Sequence, residues 1–532
     1  MVMKALPFEM KWMVLAIVAA LSFIGIFDHS LWTPDEPREA QIVREMSLNG
    51  EYLIPSLGGD EFLEKPPLYY LAAAGFYRLL GSHFPEAGRV ASALFALGAL
   101  AVVFFVTRRV FSEEAALLAP LILATFPLFF LAAHKMLVDM GLVFFITAAM
   151  GAFLVACGEQ GRSWSWYAAF WLFLAGAFLC KGIVGLAIPG TALLVFMIWQ
   201  RDAGFLRRAR VVPGVLLLLG VMAAWGGVLY LKGGWEYLHT FYVYNQFGRF
   251  IPLGGIYDGG HVRPFFYYLT RIPALAAPFI LLLIPAAARA RGMKASEKIL
   301  WAWLLGGLLI LSLSSTKREI YFLPMFPAMA MIIAHWAATL KESGPRPWEV
   351  YLLRGILAVV SLAVAAVPVA YVKMGGGLMT AVMVSAILLS ILLTLWMNFR
   401  ESLPLLAVLG WSLVILLWVP AVIPQIDKAK SYKGIFEDMG RIVQHRQAVG
   451  YRITETVEAL GPFYGGFPVK NIEDRDLMLK AMTDHEADFV LVLPSRMGED
   501  LKRRLASLAQ PVYHGGGETR RELELWKMNS SR

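Results

Sequence analysis

Apolar runs of about twenty residues follow one another from position 10 to position 423, and most charged residues fall in the stretches between them. A helix needs roughly 17 to 25 such residues to cross the hydrocarbon, where the backbone can satisfy its own polar groups only in helices or closed barrels. Thirteen runs qualify, the first at 10–27, then 88–107, 113–131, 136–156, 164–180, 182–199, 211–231, 265–288, 299–315, 319–339, 350–371, 377–397 and 403–423. The chain therefore reads as an all-α polytopic membrane protein of about 13 transmembrane helices. With 58% hydrophobic and 16% charged residues, a soluble globule is excluded. The net charge of +9 does not point to nucleic acid, because Lys and Arg cluster in short loops between apolar runs.

Cys157 and Cys180 lie within or at the edge of apolar runs, so neither a disulfide scaffold nor a cysteine metal site is indicated. The first run starts with basic residues and has no small-residue cleavage site after it, which makes it a retained span.

Orientation follows from the loops, since cations accumulate on the cytoplasmic side. An inside N-terminus places Arg108 and Arg109, then Arg201, Arg207, Arg208 and Arg210, then Arg289, Arg291, Lys294 and Lys298, then Lys341 and Arg346 in inside loops. The same assignment puts loops 28–87 and 232–264 and everything after the last span outside, in the periplasm of a bacterium. The expected division is a transmembrane domain over 1–424 and a soluble α/β domain over 425–532. In the latter, the pattern predicts helices near 431–447 and 497–508 and strands near 488–493, 511–514 and 522–527.

Five outer stretches carry chemistry. Trp32-Thr33-Pro34-Asp35-Glu36-Pro37-Arg38-Glu39 opens an amphipathic helix at the membrane surface, with Pro37 in its first turn and Asp35 near its cap. Beside Trp32, desolvation raises the proton affinity of Asp35 or Glu36 and makes a general base; the alternative is an acidic helix cap. Glu64-Lys65-Pro66-Pro67 fixes a lysine that suits a phosphate oxygen, or one that snorkels at the interface; a half-buried helix, Leu68 to Leu80, follows.

Asp139 enters an apolar run one turn after His134-Lys135. It faces the same outer cavity as Asp35 or is satisfied by Lys135. In loop 232–264, Tyr242, Tyr244, Asn245, Gln246 and Arg249, followed by Gly254-Gly255 and Gly259-Gly260, describe a mobile lid over a ligand. His261-Val262-Arg263-Pro264 closes that loop; His261 with Glu64 admits a divalent metal, a weak signal from two ligands. Lys317-Arg318-Glu319-Ile320-Tyr321 puts two more cations on the outer side, as Lys65 and Arg263 do. An anionic ligand at the outer surface accounts for all four together, and interfacial anchoring for each singly.

Taken together, Asp35-Glu36-Pro37-Arg38, Glu64-Lys65-Pro66-Pro67, Asp139, His261-Val262-Arg263-Pro264 and Lys317-Arg318-Glu319-Ile320-Tyr321 resemble the motif series of the protein O-mannosyltransferase-like superfamily, and within it the lipid A aminoarabinose transferases. The resemblance covers essentially the whole chain and implies a GT-C fold. It also implies an inner-membrane glycosyltransferase with its active site on the periplasmic face. Its donor would be a sugar on undecaprenyl phosphate and its acceptor lipid A phosphate, the modification that lowers polymyxin binding. Relatives sharing the Lys-Arg-x-x-Tyr segment use other sugars or protein and glycan acceptors.

On this resemblance Asp35 is base or orienting carboxylate, with Glu36 and Asp139 as supporting acids. Lys65, Arg263, Lys317 and Arg318 hold the donor phosphate, and Arg38, Glu64, Tyr69, His261 and Tyr321 line the substrate. One displacement step would invert the anomeric carbon. No cofactor is required, although a divalent metal fits Glu64 and His261. A transporter of anionic lipid also wants outer cations, but it places ionisable groups near the midplane rather than at one face.

Overall fold

The structure, a computed structural model, describes residues 8–81, 83–158, 164–202, 204–248, 262–373, 377–399, 402–444, 446–517 and 520–529. Each of the thirteen apolar runs is helical. Among the described residues, seven helices are long and apolar enough to cross a membrane, and up to nine if each of two bent pairs is one span. For four of the six runs not counted among the seven, the cause is local. The run at 113–131 breaks into Glu113–Thr125 and Pro127–Ala133, bent by 73°. Pro127 holds Phe126 extended (φ −64°, ψ 123°), as a proline does to the residue before it. The run at 265–288 breaks similarly, by 110°, ahead of Phe279. Helices Phe8–Phe23 and Val184–Gln200 are apolar but short.

The helices share one continuous apolar core running from Val14 to Val419. Small residues bring backbones close, as is usual between membrane helices. A Cβ on Gly306 would lie 2.8 Å from the Ala192 backbone, so helices Ala295–Leu313 and Val184–Gln200 meet there without side chains between them.

Two short outer helices build the floor of the site. Glu36–Asn49 starts with Pro37 in its first turn and ends at Gly50 in the left-handed region (φ 71°). Its apolar side is covered by protein: Ala40, Ile42, Val43 and Met46 are buried against Tyr69, Tyr70, Ala73 and Ala74 of helix Leu68–Leu80. The expected lid is also more ordered than a loop. Helix Val211–Leu238 continues as a π-helix, His239–Gly248, that carries Tyr242 to Gln246. Arg249 and His261 lie outside the described residues.

The C-terminal region forms a five-stranded sheet in the order Val469–Ile472, Ala448–Tyr451, Phe489–Val492, Arg520–Met528, Ala509–Gly517. The first three strands are parallel and the last two join antiparallel. The helix Leu403–Lys430 runs through the boundary expected at 425.

Candidate active site

The acidic stretch sits in a lattice of ion pairs. Asp35, at the helix cap position, accepts two hydrogen bonds from the Arg318 guanidinium, Nη1 to Oδ1 at 2.9 Å and Nη2 to Oδ2. One turn on, Glu39 receives Lys65 Nζ on one oxygen and the Tyr70 hydroxyl at 2.5 Å on the other. Arg38 reaches Glu455 at 2.6 Å and lies 3.9 Å from both Asp35 and Glu64. Its guanidinium and the Lys65 ammonium both lie over the Phe62 ring, at 5.5 and 5.8 Å. Asp139 pairs with Lys181, whose ammonium lies 4.9 Å from the Tyr321 ring centroid.

Burial works to raise the pKa of Asp35, but the Arg318 hydrogen bonds and charge, with help from Lys65 and Arg38, bring it down to about 2. Asp35 is therefore a carboxylate at any physiological pH, and the arginine beside it weakens it as a proton acceptor. Because its folded-state value is depressed, the stability it contributes is present above its ordinary value and is lost as pH falls towards 2.

Around this lattice lie two cavities of unlike character. One, of about 340 Å³, is lined by Trp32, Asp35, Lys135, Arg263, Tyr267 and Arg318 among others, and half of its wall is polar. The other, of about 320 Å³, is lined mainly by apolar side chains such as Leu142, Val184, Ile310 and Leu311, with Lys65, Lys181, Gln246 and Tyr321 at its polar part. Segment 316–321 is the partition between them. Thr316 and Tyr321 face the apolar cavity, and Lys317 to Ile320 face the polar one.

Over residues 64–226 the chain matches the family model described as dolichyl-phosphate-mannose-protein mannosyltransferase. It is 29% identical over 347 residues to an undecaprenyl phosphate-alpha-4-amino-4-deoxy-L-arabinose arabinosyl transferase of Erwinia tasmaniensis, covering 64% of this chain and 61% of the relative. It is 28% identical over 366 residues to the protein of that name in Aeromonas hydrophila, covering 67% and 65%. The aligned part is thus less than two thirds of either relative's length. Among solved structures, it is similar to ArnT from Cupriavidus metallidurans bound to undecaprenyl phosphate, with TM-score 0.76, 20% identity and 98% of each chain covered. The chain has the ArnT fold. It is also similar, at TM-score 0.53 and 12% identity, to the archaeal oligosaccharyltransferase AglB from Archaeoglobus fulgidus, covering 91% of this chain and 69% of that one. The resemblance drawn from the motifs therefore holds, and with it the GT-C architecture of a multi-pass membrane protein carrying a small C-terminal sheet.

Within that fold the candidate residues divide by what their polar atoms already do. Asp35, Lys65, Arg263, Arg318 and Tyr321 line the two cavities. Glu36 is different: its carboxylate takes Arg89 Nε at 2.6 Å, the Met136 amide at 3.0 Å and the Trp32 amide at 3.0 Å, and none of its side chain is exposed. That geometry makes it an anchor rather than a supporting acid. Lys317 donates to the carbonyls of Ser314 and of Arg263, the latter at 3.1 Å, so it ties a loop rather than offering its charge to phosphate. Tyr69 turns its hydroxyl inward to Ser92 at 2.6 Å and is fully buried. His261 is not described, and among the described residues no group of three His, Cys, Asp or Glu could hold a metal.

Several residues escaped the motif reading. Lys181 replaces Lys135 as the partner of Asp139, and Lys65 and Tyr70 share the Glu39 carboxylate. Gln246 donates to the Glu64 carbonyl at 3.3 Å and accepts from the Ile183 amide at 2.9 Å, so the π-helix holds the backbone beside Lys65. The C-terminal region braces the acidic stretch: Thr456 donates to the Pro34 carbonyl at 2.6 Å, and the Tyr464 hydroxyl accepts from the Leu31 amide and donates to Glu86, both at 2.8 Å. Lys181 had a signal in the sequence, since it is a cation directly after the apolar run 164–180. The braces from beyond position 450 had none.

Proposed function

We propose that the chain is an inverting glycosyltransferase of the bacterial inner membrane that moves a sugar of the aminoarabinose type from undecaprenyl phosphate to lipid A phosphate at the periplasmic face. The observation that carries this reading is the pair of cavities divided by segment 316–321, with Asp35 in the wall of the polar one and bridged to Arg318 of the dividing segment. An apolar cavity ending in Lys65, Lys181 and Tyr321 suits a polyprenyl chain whose phosphate sits at the cations. Glycosyl transfer off a phosphate needs the leaving oxygens held and the acceptor aligned, so positioning and fixed charge supply most of the catalysis. Asp35, anionic and fixed by Arg318, orients the acceptor or the amino group of the sugar.

The likeness to solved ArnT and to named aminoarabinose transferases supports the donor and sugar; the match of 64–226 to a mannosyltransferase family favours, as a second reading, another sugar and a protein acceptor. Purified protein supplied with undecaprenyl-phosphate aminoarabinose and lipid A, read by mass spectrometry, decides. A product heavier by one pentosamine supports the first reading. Unmodified lipid A beside glycosylated protein in cell extracts replaces it with the second.

Two further outcomes follow from the geometry. Lys65→Gln and Lys181→Gln should each raise the KM for donor about tenfold, with acceptor KM unchanged; an effect confined to acceptor KM would misplace the donor. Arg318→Gln should bring an acid limb into the pH–rate profile. With the guanidinium gone, burial acts on Asp35 with less opposition and its titration moves up from about 2. An acid limb unchanged from wild type would mean that the charge of Asp35 is not used.

A further inference from the structure

Trp32 lines the polar cavity and has two ammonium groups against its ring. Lys135 Nζ lies 5.5 Å and Lys430 Nζ 5.2 Å from the indole. Neither ammonium has a hydrogen bond or a carboxylate within ion-pair distance among the described residues, whereas the nearby carboxylates are engaged. Asp35 is bridged by Arg318, Glu36 by Arg89 and Glu319 by Arg271. Asp427 accepts from Trp32 Nε1 at 2.7 Å and from the amide and hydroxyl of Ser30 at 3.0 and 2.7 Å. His29, 4.7 Å from the indole, is uncharged at neutral pH because burial and the Arg89 charge lower it to about 3.

A helix C-terminus accounts for a lysine at 430 through its dipole. It does not account for Lys135, a half-buried cation whose ionisation burial already opposes and which Arg89 and Lys430 repel. Arg263 adds a second charge to the cavity wall that carries Lys135, and its guanidinium too has no hydrogen bond or ion pair among the described residues. Lys135 and Arg263 thus line about 340 Å³ of polar space on the side of segment 316–321 away from Lys65, and Lys430 stands against the ring of Trp32, which lines the same space. That volume suits a headgroup, not a lipid chain.

We propose that Lys135 and Lys430, held around Trp32, form an anion subsite that takes the phosphate monoester of an amphiphilic acceptor. The assignment rests on the transferase reading above. It puts the acceptor phosphate opposite the departing one, as a single displacement requires. An oxygen of the acceptor phosphate dianion forms the new bond to the anomeric carbon while the bond from that carbon to the carrier phosphate breaks. The electron pair leaves with the carrier, which becomes a phosphomonoester dianion as the acceptor becomes a diester monoanion. Charge balances and no proton is removed, which suits an Asp35 that is never protonated near neutral pH.

The test uses the full chain in lipid nanodiscs with three probes: phosphatidic acid as an amphiphile with a terminal phosphate, diacylglycerol as the same lipid without it, and inorganic phosphate. Wild-type protein should prefer phosphatidic acid to diacylglycerol. The double variant Lys135→Gln, Lys430→Gln should weaken phosphatidic acid binding by at least about tenfold, Lys135→Arg in place of Lys135→Gln should restore most of it, and binding of undecaprenyl phosphate should not change. Phosphatidic acid binding unaffected by the double substitution overturns the subsite. Inorganic phosphate binding as tightly as phosphatidic acid overturns its assignment to an amphiphile. Binding is read without turnover, so a wild-type protein that transfers no sugar would sink the transferase reading while these measurements still decide the subsite.

Discussion

Asp35→Asn should abolish sugar transfer, with turnover falling roughly a thousandfold, while undecaprenyl phosphate binds as before. The substitution keeps the shape and removes a charge from the wall of the polar cavity, beside the dividing segment, so the loss should appear in kcat and not in donor KM. A structural explanation must be separated, because Asn leaves the Arg318 guanidinium, only a quarter exposed, without its counter-ion. The double variant Asp35→Asn, Arg318→Gln removes both charges and should recover the thermal stability that the single variant loses. Transfer should remain absent in it. An Asp35→Asn protein that keeps more than about a tenth of wild-type turnover would be incompatible with an effect of this size and would move the chemistry elsewhere.

The sequence made the site legible where its cations broke a topological rule. Lys65, Arg263 and Arg318 are cations that the expected topology puts on the wrong side of the positive-inside bias, and all three line the two cavities. Patterning likewise predicted helices Glu36–Asn49 and Leu68–Leu80 and the strand Phe489–Val492, because apolar periodicity and proline punctuation are local signals. What stayed hidden is pairing across distance. Nothing at position 139 tells that its partner is Lys181 and not Lys135, and nothing at 36 announces Arg89, 53 positions on. The strands Ala448–Tyr451 and Val469–Ile472, four residues each, are too short for period-two alternation to declare them. The helix expected at the surface buries its apolar side against helix Leu68–Leu80 and Phe463 of the C-terminal region, contacts that amphipathicity alone cannot distinguish from a membrane face.

The division of the carboxylates into bound and available ones decides what each substitution does. Asp35 faces a cavity and its partner Arg318 lines the same wall, so their bridge can open when a ligand competes for either. Glu39 and Lys65 form a more enclosed pair, with Glu39 almost wholly buried and Lys65 reaching the apolar cavity. Glu36 and Arg89 have no exposed side-chain surface and face no ligand.

Glu36→Gln is therefore expected to act on the fold first, destabilising the protein by about 3–5 kcal/mol, the range for removing one partner of a buried ion pair. Arg89 is held from four sides: by Glu36, by the Ile26 and His29 carbonyls at 2.9 and 2.7 Å, and by the Ser30 carbonyl at 2.9 Å. It thus clamps the end of the first helix and the segment leading to Asp35 onto helix Arg89–Val110. Arg89→Lys should not substitute, since a single ammonium cannot reach all four acceptors. Replacing both partners, Glu36→Gln with Arg89→Met, removes the uncompensated charge and should unfold at a higher temperature than Glu36→Gln alone. Transfer should still be lost in that double variant, because the three carbonyls no longer share a donor and Asp35 loses its fixed register. Detergent-solubilised protein followed by thermal unfolding and by turnover tests both halves. A double variant as active as wild type would show that the clamp serves stability only, and one no more stable than Glu36→Gln would show that the cost lies in lost hydrogen bonds and not in a stranded charge.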